Sequence, residues 1–315
     1  MPKVSIILPT SRPGGMDVTF SGLQGQSFRD FELVWVDSIK RYRESHVIGK
    51  IANAGFAVTY VEPIDNPFPS CAFARCANTG IAHATGNILV FIQDFLWFPP
   101  DWLERHVQFH RTTRGAYSGA HTYMQWPKLK TLPVWHDHEY AKMDTIARSV
   151  IGHSYVEDLN KGLYDHAMWS CFEKEFVGDA RVLAHHPEDR YADMKLMWTE
   201  RQVMQPSLVH LKNESCAREI VLNMNGFDED FNGAHGWQDT EFGERVAQIG
   251  SVQWHFDPTN PVYGVSPKYL FPRLRRIRPT YANRWLLDIK RARGYRDPVN
   301  DWNLREYGRQ LAGGQ

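Results

Sequence analysis

Apolar residues in the first third of the chain come in short runs that alternate with helix-compatible stretches. Val4 to Leu8, Phe31 to Val36, Ala57 to Val61 and Asn87 to Ile92 are too brief for helices and end in polar or turn-forming residues, so they predict buried strands. Met16 to Gly25, Tyr42 to Ala54, Cys71 to Ala84 and Asp101 to Arg111 fill the gaps as helices, with Gly55 and Gly86 as stop signals. This alternation predicts an α/β domain built on a mostly parallel sheet. From about Tyr123 to Met204 the pattern dissolves into His, Trp, Tyr and Pro with weak periodicity, which predicts an irregular insertion. A strand at Leu208 to Leu211 is expected to return the chain to the sheet. Helices at Ser215 to Leu222 and Thr240 to Gln248, a short strand at Val252 to His255 and an amphipathic helix at Tyr281 to Arg293 are expected to follow. The expected division is therefore 1–122 for a first β/α half, 123–206 for the insertion, 207–266 for a second half of the same domain, and 267–315 for a basic helical extension.

Composition narrows the classes. With 315 residues, 43% of them hydrophobic and 13% aromatic, the chain can bury a large core and is not of the disordered type. Its 11 tryptophans leave aromatics beyond core needs for stacking on sugars or bases. Lys+Arg and Asp+Glu are both 36, so no global field recruits nucleic acid or a membrane surface, and charge recognition must be local. The one marked cluster is Arg273, Arg275, Arg276 and Arg278 followed by Lys290, Arg291, Arg293 and Arg296, which reads either as a solvated basic face or as a phosphate site. Cys71, Cys76, Cys171 and Cys216 form no CxxC pair, which favours reduced thiols and a cytoplasmic setting. The opening apolar run lacks the context of a signal peptide. The stretch from Ile88 to Trp102 is broken by Gln93, Asp94 and Pro99-Pro100, so no transmembrane segment is expected.

Candidate chemistry gathers at strand ends and in two acidic segments. In parallel sheets ligands bind outside the carboxyl ends of the strands, where this chain has Pro9-Thr10-Ser11-Arg12, Asp37-Ser38 and Gln93-Asp94. Each alone is equally a turn or cap; together they predict a shared crevice. Further on, Gly226-Phe227-Asp228-Glu229-Asp230-Phe231 and Gly236-Trp237-Gln238-Asp239-Thr240-Glu241-Phe242 place carboxylates and aromatics at a helix start, a geometry suited to gripping a sugar and deprotonating a hydroxyl. The absence of GxGxxG after the first strand, of GxxxxGK[ST] and of HExxH argues against a dinucleotide oxidoreductase, a P-loop enzyme and a zincin. His136-Asp137-His138 and His185-His186 read as loop histidines ahead of metal ligands.

Taken in order, Val4 to Thr10, Leu23 to Asp37, Ala74-Arg75-Cys76-Ala77-Asn78, Pro99-Pro100-Asp101-Trp102-Leu103, Asn213-Glu214-Ser215, Asn225-Gly226-Phe227-Asp228-Glu229 and Gly236-Trp237-Gln238-Asp239 resemble the GT-A glycosyltransferases, family 2 in particular. The resemblance covers residues 3 to 104 and 207 to 264. It implies a GT-A, Rossmann-like sheet flanked by helices and a nucleotide pocket made by Pro9, Thr10, Asp37, Arg75 and Asn78, with a UDP-sugar favoured as donor. It also implies inverting transfer to an acceptor hydroxyl with Asp239 as general base and Glu241 as runner-up. Trp237 would stack on a sugar, and Asn213, Asp228 and Gln238 would contact sugar hydroxyls; Asp228 is equally open to a turn role. Asp94 stands in the place of the DxD motif, where carboxylates hold Mn²⁺ or Mg²⁺. The motif here is Gln93-Asp94-Phe95, a hard cation prefers several oxygen ligands, and the family's later His falls on Gly264. His255 is a second candidate ligand whose other reading is a packed strand residue. Without a cation, Arg273, Arg275 and Arg276 would fold over the diphosphate, which their fixed fork of donors suits. The acceptor is left open among a glycan, a small molecule and a modified macromolecule. Two rival functions stand beside transfer: a catalytically silent GT-A domain that binds nucleotide sugar or glycan, and glycosylation of a nucleic-acid base through the C-terminal basic cluster.

Overall fold

A computed structural model of the chain describes residues 3–10, 16–38, 40–64, 72–94, 96–124, 204–232, 236–248, 250–265, 281–295 and 299–313. Strand residues alternate sides with period two, and each side meets its own layer of helices. Val4, Ile6 and Leu8 of β1 (Val4–Thr10), Leu33 and Trp35 of β2 (Phe31–Asp37) and Ile88 and Val90 of β4 (Ile88–Phe91) form one buried cluster with α1 (Met16–Gln24), α2 (Lys40–Ala52) and α4 (Trp102–Thr112), through Phe20, Val47 and Leu103. Ile7, Val34, Val36, Leu89 and Phe91 point the other way. They pack on Ala77 and Ile81 of α3 (Phe73–His83), Val221 of α5 (Arg218–Asn223), Phe242 and Val246 of α6 (Gln238–Gln248) and Leu304 of α8 (Leu304–Gly313). The remaining helix, α7, spans Tyr281–Ala292.

Eight strands join in one sheet in the order β3-β2-β1-β4-β7-β6-β8-β5, with β3 Ala57–Val61, β5 Leu96–Trp97, β6 Ala116–Met124, β7 Glu214–Ala217 and β8 Trp254–Val265. The sheet is mixed and mostly parallel: β1–β2, β2–β3, β1–β4 and β6–β8 pair parallel, while β7 runs against β4 and β6, and β5 against β8. Consequently β1, β2, β4 and β6 all end at one edge, and the chain enters β7 from that same edge. This places the segment before Glu214 over the strand ends.

The expected elements of the first 112 residues are present with small shifts at their ends. Later ones differ for identifiable reasons. Val209 and Leu211 alternate and are buried as a strand would require, yet Leu211 has φ 52° and follows a 3₁₀ turn at Pro206–Leu208, so no ladder forms there. The returning strand is β7, which takes the start of the expected Ser215 to Leu222 helix and leaves α5 the rest. β8 runs to twelve residues because Pro258 and Pro261 fall where the register steps from Gly119↔Asp257 to His121↔Val262. In such a bulge a missing N–H costs no ladder hydrogen bond. β6 crosses the expected 122/123 boundary, and α8 was not anticipated. The rest of the expected insertion, residues 125–203, lies outside the described residues. Among the described residues no helix is long and apolar enough to cross a membrane.

A buried polar network stiffens the sheet behind the strand ends. His106 Nε2 lies 2.9 Å from Asn213 Oδ1, which also accepts from Trp102 Nε1 at 2.6 Å. An amide oxygen only accepts, so His106 carries its proton on Nε2 and its Nδ1 accepts from Ser215 Oγ at 2.8 Å. His110 Nε2 reaches the same hydroxyl at 2.8 Å. Burial pushes His106 down to about 3 and His110 to about 4. A histidine held neutral in the fold takes its proton first in the unfolded chain, so stability is full above the ordinary value of 6.5 and falls as pH drops toward about 3. At pH 5 His106 alone should cost about 2 kcal/mol relative to pH 7. Urea unfolding at the two pH values measures this, and His106→Gln, which cannot titrate, should reduce the difference.

Candidate functional site

The first part of the candidate site is built by neighbouring strand ends. Thr10 and Asp37 are register partners at the last positions of β1 and β2, and Pro9 beside them is buried. Asp37 is fully buried; its Oδ1 accepts from Thr10 Oγ1 at 2.9 Å, and its Oδ2 from Arg43 Nη1 at 3.1 Å and Tyr60 OH at 2.8 Å. Trp35 Nε1 donates to Thr10 Oγ1 at 2.7 Å, and Arg43 lies over the Trp35 ring. The carboxylate therefore sits in an ion pair with a second fully buried group. Arg43, Tyr60 and Trp35 were not among the expected site residues. The readable signals were the Trp35↔Tyr60 pairing once β2 and β3 run parallel, and an Arg in the helix directly following the strand-end carboxylate.

α3 fastens this half to the later acidic segment. Arg75 donates through Nε to Glu229 Oε2 at 2.7 Å and through Nη1 to Ile64 O at 3.3 Å. Asn78 is fully buried; it accepts from Phe227 N at 2.7 Å and donates to Phe227 O and Glu229 Oε1, both at 2.9 Å. Its amide is thereby engaged with protein, where a nucleotide contact was expected. Gly226 is required at this joint: its φ is +76°, and a Cβ there would meet Asn78 Oδ1 at 2.2 Å.

The second part comes from the segment entering β7 and from the start of α6. Gln93 Nε2 donates to His210 O at 3.1 Å, and His210 Nδ1 lies 3.6 Å from Asp239 Oδ2. The strand-end segment carrying Gln93 and Asp94 is thus linked through one residue to Asp239. Asp239 occupies the first turn of α6, where the helix dipole favours a carboxylate, and its Oδ1 accepts from Thr240 N at 2.9 Å. Glu214 underpins the segment: it is buried and accepts from Lys212 N at 2.5 Å, Asn213 N at 2.7 Å and Ser118 Oγ at 3.1 Å. Burial pushes the Glu214 carboxyl up, and contact with Asp239 raises His210 above its ordinary 6.5. His121 of β6, near Lys212 and His210, is pushed down to about 3 by burial and by those charges. His210 escaped the sequence reading because its neighbours Val209 and Leu211 imitate strand alternation.

The other expected contacts divide. Gly236 and Trp237 both have positive φ, +86° and 72°, and turn the chain into α6. The Trp237 ring carries the Arg284 guanidinium 4.7 Å from its centroid, so one face is covered by protein. Gln238 Oε1 is buried without a hydrogen-bond partner among the described residues. Asn213 is fully buried and holds Ala120 O and Asn260 O as well as Trp102 and His106. Asp228 takes the turn role: it caps Asp230 N at 3.0 Å and pairs with Lys290 at 2.8 Å. Glu241, the runner-up base, is buried in an ion pair with Arg245. Two cations of the basic cluster are likewise paired, Lys290 with Asp228 and Asp230 and Arg291 with Glu244. Arg273, Arg275 and Arg276 lie outside the described residues.

For a divalent cation the described residues offer Asp94, 8% exposed just past β4. His255 is on β8, three strands over from β4, its ring 5.2 Å from that of Phe109. The structure does not bring it together with Asp94 as a ligand pair. Among the described residues no three His, Cys, Asp or Glu side chains converge as a metal cluster. A single carboxylate fits a cation that takes its remaining oxygens from a diphosphate and water, as Mg²⁺ commonly does.

Comparison with known proteins agrees with this architecture. Residues 5–157, just under half of the chain, match the sequence model of glycosyl transferase family 2. No curated protein matches the sequence. Among solved structures, S. aureus TarS 1-349 superposes with TM-score 0.52 at 12% identity, covering 91% of this chain and 65% of that one. The same protein in complex with UDP gives 0.52 at 13% identity, again over 91% and 65%. The mannosyltransferase PcManGT from Pyrobaculum calidifontis, in complex with GDP-Man and Mn²⁺, gives 0.51 at 17% identity over 99% of this chain and 69% of its own. At such identities the likeness is one of fold, and the chain spans 65% of the TarS 1-349 chain.

Proposed function

We propose, for a chain of GT-A fold whose residues 5–157 carry the family 2 glycosyltransferase segment, that it transfers a sugar from a nucleoside diphosphate donor to an acceptor hydroxyl with inversion. The observation that supports this reading is the link from Gln93 through His210 to Asp239, which connects a helix-start carboxylate to the segment just past β4. Thr10, Asp37 and Arg43 shape the nucleoside end of the pocket, with Pro9 at its rim, and a UDP-sugar is the favoured donor. Arg75 and Asn78 act at one remove, by fixing the 226–229 segment. Asp239 supplies the carboxylate of the general base, and Trp237 and Gln238 line the sugar side. A Mn²⁺ or Mg²⁺ ion, held by Asp94 and the diphosphate, would neutralise charge on the departing group.

Nucleoside diphosphate release from a panel of UDP- and GDP-sugars, with Mn²⁺ and with EDTA, tests the proposal. At least one donor is expected to turn over, with loss in EDTA if Asp94 holds a cation. Binding of donors without release from any of them, acceptors supplied, would identify a silent binding domain instead.

A further inference from the structure

The carboxylate of Asp239 does not face the crevice alone. His210 is the more accessible of the two, its side chain 63% exposed against 21% for Asp239, and its Nδ1 points at Asp239 Oδ2 from 3.6 Å. That is longer than a hydrogen bond, but catalytic contacts in unliganded sites are commonly long and tighten when substrate binds. The other carboxylate oxygen is engaged by Thr240 N. The His210 backbone is held at both ends, its carbonyl by Gln93 and its N–H by Glu214 Oε1 at 3.5 Å, so the point from which the ring projects is set by the sheet edge.

Resting on the transferase reading above, the geometry points to a His210–Asp239 dyad as the base, in which His210 Nε2 takes the acceptor proton and Asp239 orients the ring through Nδ1–H. The acceptor O–H bond breaks as its oxygen bonds to the anomeric carbon. The bond from that carbon to the diphosphate oxygen breaks with its electron pair leaving on the diphosphate. The proton rests on His210 as imidazolium, paired with the Asp239 carboxylate, and passes to solvent from the exposed ring. An ordinary imidazole binds a proton more tightly than an ordinary carboxylate, and contact with Asp239 raises His210 further. Four groups face His210: Asp239 of α6 and Glu214 of β7 raise its proton affinity, Lys212 of the preceding loop lowers it, and His121 of β6 lies close by.

Three readouts test the dyad. His210→Gln should lower kcat by roughly a hundredfold, the lower range for a general base, with donor KM unchanged. In the wild-type protein kcat/KM should rise with pH through a value above 6.5, because protonated His210 cannot accept, and this limb should vanish in His210→Gln. By NMR, the His210 ring should titrate above 6.5 and fall in Asp239→Asn, a measurement that needs no turnover. Full activity of His210→Gln beside a dead Asp239→Asn would overturn the dyad while leaving Asp239 as sole base. A His210 titration indifferent to Asp239→Asn would overturn it equally. Absence of turnover in the wild-type protein with every donor would remove the transferase reading and the dyad with it.

Discussion

Asp239→Asn is expected to lower turnover by about a thousandfold, within the range proton-transfer groups contribute, while leaving fold and nucleotide affinity in place. The side chain keeps its shape, and the amide oxygen can still accept from Thr240 N as Oδ1 does now. What disappears is the negative charge that orients the His210 ring and pairs with its imidazolium once the acceptor proton has moved. Nucleotide contact is expected at the ends of β1 and β2, across the crevice, and is untouched by the change. Diphosphate release measured alongside UDP binding by calorimetry checks both halves. Turnover within threefold of wild type would remove Asp239 from the chemistry.

Arg245→Met is expected to have the largest effect on stability. Arg245 and Glu241 are each 1% exposed and sit one turn apart on α6. Beyond its ion pair with Glu241, Arg245 donates to Met224 O at 3.0 Å and to Gly226 O at 2.7 Å. It therefore holds the turn that delivers Phe227 to Asn78. Removing it strands a buried carboxylate, already pushed up by burial, and two carbonyls. Breaking such a pair costs about 3–5 kcal/mol, and at about 2–4 °C per kcal/mol for a large domain Tm should fall by about 10 °C. A double change, Glu241→Leu with Arg245→Met, should recover part of the loss, because the stranded charge goes with its partner. A single-variant loss below about 1 kcal/mol, read by urea unfolding, would contradict this account.

The first half of the fold was legible because its strands are continuous apolar runs and its helices have clear stops. The second half was not, for reasons of local chemistry. Pro258 and Pro261 disguise one long strand as a short one, and alternating Val209 and Leu211 disguise a loop as a strand. The candidate site was legible as segments and less so as roles. The sequence singled out Asp37, Asp94 and Asp239, and the structure links the Gln93-Asp94 segment to Asp239 through His210. Asn78, Asn213 and Asp228 look like ligand-binding residues in sequence because amides and carboxylates at turns are equally suited to clamping backbone, which is what they do here. His210 becomes visible only when its loop is folded onto the sheet edge, whereas Arg43 left a signal in the helix that directly follows Asp37.

The joint around Asn78 draws on the far end of the chain. Asn300 donates to Asn225 O and Phe227 O and accepts from Glu229 N, while Asn225 grips Val299 O, Trp302 O and Leu304 N. During synthesis, a ribosome that has translated only as far as α7 has therefore made every residue of the crevice, together with the Arg75 and Asn78 contacts to the 226–229 segment, but not the second set of bonds on that segment. Those are added only when residues 299–304 emerge from the exit tunnel.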